Sequence, residues 1–409
     1  MWAACAYNMN MRISEKALRK HILSDKCNAI AFGAATGSDI YLVGGYLRDT
    51  LIGKKSRDRD YVVTGRFEDM LDVVASRTGA RAVKIGKRGL YRFFLKDGVS
   101  MDFSPLTGDI SADVLERDFT VNSMAWSPTG GLIDICGGED DLSKGTVRMI
   151  SADNITKDPV RILRAYRLAQ ELSFTIERKT RVVFRSIRGL LKEVKTERIT
   201  LEFFKVLSAA SSSRILRMLW KDGILGCLID CSDAELDHRL KVLSRINRMF
   251  KELPLKYRRR LSDPSSENLS FAALLKLELL LKGNPANMFC LSANILKRLR
   301  NLNDADRILT EDNTSQGNLF ELFERAGECA IDFLLTRRLP ALLPEYERYR
   351  ALKGRRLLSA EEIKRVLRLH DGVVLGRILR DLEKARFSGF VRNRADAIAM
   401  VRRIHQEVI

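Results

Sequence analysis

A chain of 409 residues with 45% hydrophobic and 30% charged residues, and no apolar run of membrane-spanning length, is globular and is long enough for two to four domains. Lysine and arginine outnumber aspartate and glutamate by 71 to 52, a formal net charge of +19, which points to a polyanionic partner, nucleic acid before a membrane surface. Seven cysteines without zinc spacing and four scattered histidines argue against a disulfide framework, a histidine metal site or a Ser-His-Asp triad, and predict reduced thiols in a cytoplasmic protein.

The first residues carry little basic charge and no sustained apolar core, against a secretory signal, with Met9 or Met11 as alternative starts. Met11 to Ala31 places Ile13, Ala17, Leu18, Ile22 and Leu23 near one stripe and predicts a single amphipathic helix. Ile40 to Val43 is an apolar run that stops at Gly44-Gly45, the pattern of a buried strand ending in a bare turn. Tyr46 to Ile52 then begins a helix with Arg48 one turn from the glycines, so amide groups and a guanidinium converge where a phosphate would fit. Asp58 to Val63 ends in strand formers. Alternate strand residues share a face, so Asp58 and Asp60 point the same way, and two such carboxylates suit a hard cation such as Mg2+.

Glu68 to Arg77 predicts a helix, after which the period falls to two. Ala80 to Ile85, Leu90 to Leu95 and Val99 to Phe103 predict three strands, punctuated by Gly86-Lys87-Arg88-Gly89 and an Asp97-Gly98 hairpin turn. The third carries Asp102, either the third acid of a metal cluster or a strand-end turn former. Within Asp113 to Trp126, the polar residues Arg117, Asp118 and Asn122 sit among apolar ones; they suit backbone capping or, as a carboxylate and an amide, ribose hydroxyls. Glycine turns at Gly130-Gly131 and Gly137-Gly138 flank a short strand and close the sheet region.

From about Ser151 the composition turns almost wholly helical. Asp158-Pro159 ahead of Val160 to Arg167 predicts a helix with Asp158 as N-cap and Pro159 in its first position, and Arg161, Arg164 and Arg167 follow at three-residue spacing. Taken alone, these are a cap and a solvated arginine face. Among the later helices, the run Lys256 to Arg260 is the best candidate for contact with backbone phosphates, and Ser359 to Glu362 reads as a capping box.

The motifs LVGGYLRDTLIG, DRD, RDFTVNS, GGLIDICGGEDDL, DPVRILRAYRLAQELSFTIE and ERITLEFFKVL follow one another in a fixed order over roughly Ile40 to Leu207. In that order the chain resembles the class II tRNA nucleotidyltransferases (CCA-adding enzymes) and the related bacterial poly(A) polymerases. The resemblance implies an α+β protein. A small nucleotidyltransferase head with a mixed or antiparallel sheet and flanking helices would occupy residues 11–150. An all-helical neck bearing a nucleotide-selecting motif (151–210), a body (211–340) and an RNA-binding tail (341–409) would follow.

The resemblance further implies Asp58 and Asp60 as Mg2+ ligands in two-metal-ion nucleotidyl transfer, with Asp102 as a third catalytic carboxylate. Gly44, Gly45 and Arg48 would lie by the phosphates, Arg117, Asp118 and Asn122 by the ribose, and Asp158 and Arg161 by the base, with Arg164 and Arg167 also counted with the nucleotide. Cytosine and adenine each carry an exocyclic amine beside a ring acceptor, so a carboxylate and a guanidinium pair with both, whereas uracil and guanine present a carbonyl to the carboxylate.

The implied reaction is template-independent addition of C and/or A to tRNA from CTP and ATP. Poly(A) synthesis on RNA 3′ ends is the alternative among enzymes, and a non-catalytic RNA-binding protein the alternative outside them. Two departures are reciprocal: Glu116 stands where the family usually has an arginine, and Lys157 where it usually has an acid. They predict an ion pair between head and neck. The connection Ser104 to Glu116 is shorter than the loop linked in CCA-adding members with the switch from C to A, which leaves CCA-, CC-, A- and poly(A)-adding products open.

Overall fold

The computed structural model describes residues 13–86, 89–209, 212–263, 269–282, 288–309, 315–368 and 372–408. The candidate starts Met9 and Met11, Cys5, the Lys87-Arg88 pair of the predicted turn, most of the Ser262 to Asn268 stretch and His370 lie outside the described residues. The chain divides into two compact units, Met1–Cys227 and Leu228–Ile409.

The first unit opens with α1 (Glu15–Ser24) and α2 (Lys26–Ala34) rather than one helix. Apolar spacing continues across the break, but Asp25 is extended (φ −73°, ψ 125°) and its carboxylate accepts the N–H groups of Cys27 and Asn28, which starts a new helix. The same carboxylate receives Arg59 at 2.6 Å, so the cap is also the anchor of a strand.

That strand belongs to a seven-stranded mixed sheet. Its members are β1 (Ile40–Val43), β2 (Asp58–Val63), β3 (Ala82–Ile85), β4 (Leu90–Phe94), β5 (Ser100–Pro105), β6 (Ala125–Ser127) and β7 (Gly131–Ile133), in the order β3-β4-β5-β2-β1-β6-β7. The pair β2–β5 is parallel and the other neighbours are antiparallel. The helices α3 (Gly45–Leu51), α4 (Phe67–Thr78) and α5 (Ile110–Leu115) are inserted between strands.

Strand alternation divides the work of β2. Arg59 and Tyr61 face α2: Tyr61 stacks on Phe103 at 4.7 Å between ring centres, and its hydroxyl donates to Asn28 Oδ1 at 2.6 Å. Asp58, Asp60 and Val62 take the opposite face. There Val62 packs with Val43 and Ala125 beneath Ile110 and Val114 of α5. The short connection from Ser104 to Glu116 therefore contains a packed helix, an element too brief for periodicity to reveal.

Beyond the sheet the unit continues through α6 (Gly138–Ser143), β8 (Thr146–Val147), α7 (Ala152–Lys157), α8 (Arg161–Leu172), β9 (Thr175–Ile176), α9 (Arg178–Ile187), α10 (Thr196–Ser208) and α11 (Ser212–Lys221). The two-residue strands β8 and β9 pair in parallel, which the sequence did not suggest. Helix α8 buries Ile162, Leu163, Tyr166 and Ala169 on one side. Asp222, just past α11, accepts from Tyr166 (2.5 Å), from two nitrogens of Arg181 (2.8 Å each) and from Arg185 (2.6 Å), fixing α8 and α9 around one buried carboxylate.

The second unit is helical among its described residues, from Asp233–Glu252 through Arg394–Val408. The capping box is present, with Ser359 and Glu362 exchanging side-chain and backbone bonds. In the helix Leu255–Ser262, the basic run is partly committed internally: Tyr257 is buried and donates to Glu347 at 3.1 Å, and Lys256 lies 3.4 Å from the same carboxylate. No helix among the described residues is long and apolar enough to cross a membrane.

This unit also buries one guanidinium against two carboxylates. Arg298 donates to Glu278 at 2.7 Å and to Asp332 at 2.6 Å, while Glu278 Oε2 has no hydrogen-bond partner among the described residues. Burial, against the charge of Arg298 and with that of Asp332, pushes Glu278 up to about 8 from an ordinary 4.5. Between those values the folded chain binds more protons than the unfolded one, so this group's contribution to stability falls as pH rises through that window. Glu278→Gln is expected to flatten the decline in melting temperature between about pH 5 and pH 9, and an unchanged slope would show that the proton is not held there.

Candidate active site

One open cleft of about 650 Å³ in the first unit gathers residues from the sheet and from α8. Its lining contains Gly44, Gly45, Arg48, Asp58, Asp60, Asp102, Arg117, Asp118, Asn122, Asp158, Arg161, Arg164 and Arg167. All the residues assigned from the sequence to the metal and the nucleotide thus share one cavity, although they span more than a hundred positions.

The carboxylate end is set by strand register. Asp60 lies beside Asp102 across the parallel β2–β5 pair, Asp58 lies beside Ser100, and Arg92 of β4 lies beside Asp102. Paired positions share a face, so all of these point into the cleft. Asp58 Oδ1 accepts from the Ser100 hydroxyl at 2.6 Å. Both oxygens of Asp102 are taken by Arg92, at 2.7 and 2.6 Å. Asp102 therefore shares the cleft with Asp58 and Asp60 but is committed to Arg92, and no group of three or more His, Cys, Asp or Glu placed to hold a metal occurs among the described residues. Arg92, a basic residue in an otherwise apolar strand, gave no sequence signal of this role, since the pairing depends on a register between distant segments.

Asp60 has a different environment. Burial, then the neighbouring carboxylates of Asp102 and Asp58, push its carboxyl up to about 6 in spite of Arg117 and Arg92. A half-buried carboxylate destabilised by two others is the donor chemistry that a hard divalent cation relieves, so Asp58 and Asp60 fit such an ion.

Gly44 joins β1 to α3 with φ 75° and ψ −135°. A Cβ there would lie 3.3 Å from both Arg117 Nη1 and Asp60 Oδ2, so a side chain is opposed by conformation and by space together. Gly44→Ala is expected to cost about 1–3 kcal/mol in denaturant unfolding; a midpoint equal to wild type would show that the turn relaxes freely. Arg117 follows α5 and is oriented by Asp113, which accepts from its Nε and Nη2 at 3.0 and 2.7 Å, leaving Nη1 toward the glycine turn.

A chain of polar contacts runs from the turn to α8. Arg48 Nη1 donates to Asn122 Oδ1 at 2.7 Å, Asn122 Nδ2 donates to Asp118 Oδ1 at 3.1 Å, and Arg164 donates to Asp118 Oδ2 at 2.9 Å. Burial pushes the Asp118 carboxyl up, but the charge of Arg164 and the hydrogen bonds from Asn122, Arg164 and the Phe119 N–H outweigh it and hold the group below the usual carboxylate range. Arg167 lies 3.0 Å from Glu171 and 2.8 Å from Glu202. The three arginines of α8 therefore line the cleft, each beside an acid, rather than forming a solvated face.

Asp158 departs from its expected role. Helix α8 begins at Arg161, after Pro159 and Val160, and no side chain caps it. Asp158 instead ends α7, at φ −142° and ψ 81°, and lines the cleft with its carboxylate bonded to Arg198 rather than to the start of α8. Arg161 Nη1 donates to the carbonyls of Glu116 (2.9 Å) and Asn154 (3.2 Å), and its Nε lies 3.8 Å from Asp158 Oδ2. The predicted Glu116–Lys157 ion pair is not formed: both side chains are exposed, and the segments are joined through backbone carbonyls instead, with Arg161 donating to Glu116 and Asn154 Nδ2 to Leu115 and Arg117 at 2.7 and 2.9 Å.

The Poly A polymerase head domain family matches residues 40–148, and the family described as Probable RNA and SrmB- binding site of polymerase A matches residues 173–231. The chain is 31% identical over 391 residues to a CC-adding tRNA nucleotidyltransferase of Geobacter sulfurreducens, covering 88% of this chain and 91% of that protein. It is 28% identical over 418 residues to a CC-adding tRNA nucleotidyltransferase of Thermus thermophilus, covering 90% and 94%. In fold it is similar to the Thermotoga maritima CCA-adding enzyme solved in complex with tRNA, with a TM-score of 0.75 at 21% identity over 96% of this chain and 98% of that one.

Proposed function

The chain belongs to the tRNA nucleotidyltransferase family, and from that premise we propose that it adds C residues to the 3′ end of tRNA, using CTP, without a nucleic-acid template. The C-adding product is favoured because relatives matched along nearly their whole length carry that activity.

The observation that carries the reading is that the carboxylate pair of β2 and the Asp158–Arg161 pair open into the same cleft. Asp58 and Asp60 would hold Mg2+. A cation held there would supply Lewis-acid stabilisation of the triphosphate and would make the tRNA 3′-hydroxyl more acidic; in the overall transfer that oxygen bonds the α-phosphorus as the bond to pyrophosphate breaks. The bare Gly44 turn admits the phosphates against Arg117 Nη1. Asp118 and Asn122 present oxygen and amide groups for ribose hydroxyls. Asp158 accepts from the exocyclic amine of the base, and Arg161 donates to the ring acceptor beside it.

The test is incorporation by purified protein with Mg2+ on tRNA ending at the discriminator base, at C or at CC. Two C additions to the first acceptor and one to the second are expected. Incorporation of A alone on the CC acceptor would replace this reading with A addition, and no incorporation on any acceptor would overturn it.

A further inference from the structure

The carboxylate of Asp158 is held by a residue outside the cleft lining. Arg198, in the first turn of α10, donates from Nη1 and Nη2 to Asp158 Oδ1 and Oδ2 at 2.9 Å each, a two-pronged contact across segments forty positions apart. Arg161, the other cation near Asp158, is only 3.8 Å away through Nε and spends Nη1 on two backbone carbonyls. The residue that fixes the plane of the Asp158 carboxylate is thus Arg198. It is half exposed, with 51% of its side chain accessible, so its removal leaves no cavity in a core.

A fork-to-fork guanidinium contact does two things to a carboxylate. It occupies one lone-pair direction on each oxygen, and it fixes the rotation about the Cβ–Cγ bond. Each oxygen has a second lone-pair direction, so a carboxylate held this way can still receive an amine from the cleft. Without the fork, Asp158 is free to rotate toward the uncapped start of α8 and no longer presents a fixed acceptor to the base.

We propose that Arg198 is a positioning residue for base selection: it keeps Asp158 an oriented acceptor and thereby sets the preference for cytosine and adenine, which present an exocyclic amine to it, over uracil and guanine, which present a carbonyl there. The proposal rests on the base-reading role of Asp158 given above. Recognition then extends from α8 to α10, and the exposed arginine of the ERITLEFFKVL motif belongs to nucleotide choice rather than to helix packing.

The test is single-nucleotide incorporation by the full chain with CTP, ATP, UTP and GTP, comparing wild type, Arg198→Ala, Arg198→Lys, Asp158→Ala and the double alanine variant. Arg198→Ala is expected to lower the CTP-to-UTP ratio of kcat/KM by about tenfold or more, with an unchanged melting temperature. Arg198→Lys should fall between, since it restores charge without the fork. The double variant should match Asp158→Ala alone, because the arginine acts through the aspartate. Wild-type selectivity in Arg198→Ala, with selectivity lost in Asp158→Ala, would overturn the proposal and leave the reading of Asp158 standing. Unchanged selectivity in both would overturn the two together.

Discussion

Asp60→Asn is expected to lower nucleotide addition by about 10³-fold or more while tRNA binding is retained. The substitution keeps the shape of the side chain and removes the charge from a carboxyl that burial and two acidic neighbours hold up at about 6. Metal assistance of this kind contributes several kcal/mol to the transition state, and each 1.36 kcal/mol is about a factor of ten in rate. No packing contact is lost, so unfolding should be unaffected or slightly delayed, because a repulsive charge has gone. The measurement is turnover at saturating CTP beside a tRNA binding titration. Turnover within about tenfold of wild type would remove Asp60 from the reaction.

Gly138→Ala is expected to damage the same site from outside it. A Cβ at this position would stand 2.4 Å from the carbonyl oxygen of Thr120, and a backbone atom cannot swing aside as a side chain can. Thr120 begins the turn that carries Asn122, and its hydroxyl is bonded to Asp141 of α6 at 2.6 Å. Overpacking of this kind costs about 1–3 kcal/mol, which in a unit of this size lowers the melting temperature by roughly 3–10 °C. The shift should also move Asn122 away from Arg48 and Asp118, raising KM for CTP. Gly189→Ala is the control, since a Cβ there meets nothing within 4 Å. Equal melting temperatures for the two variants would show that the contact is relieved without cost.

The contrast between what could be read in the chain and what could not follows the range of the interactions. The strand and turn of Ile40 to Gly45, the shared face of Asp58 and Asp60 and the helical character after Ser151 depend on neighbours in sequence, and the structure has them. The break at Asp25 was written locally as an N-cap but masked by apolar spacing that runs through it. Asp158 was misplaced for the opposite reason: an Asp-Pro pair is a good helix start by composition, yet two more residues intervene and the carboxylate finds Arg198. The Arg92–Asp102 and Arg198–Asp158 pairs are matters of register and of helix packing, which no local pattern specifies. Glu116 and Lys157 show the limit of reasoning from reciprocal departures: opposite charges in corresponding motifs do not pair when both side chains look into solvent.

The contacts that run from Arg48 through Asn122 and Asp118 to Arg164 also restrict how such proteins can be recombined. A hybrid joined near residue 150, at the change from sheet to helices, would take Asp118 from one parent and Arg164 from the other. If the second parent placed a different side chain at position 164, the buried Asp118 would lose its counter-charge and its place beside Asn122. A breakpoint after residue 172, at the end of α8, keeps that pair together but divides Asp158 from Arg198, Arg167 from Glu202 and Tyr166 from Asp222, so exchange of whole catalytic modules should succeed only past Asp222, at the end of the first unit.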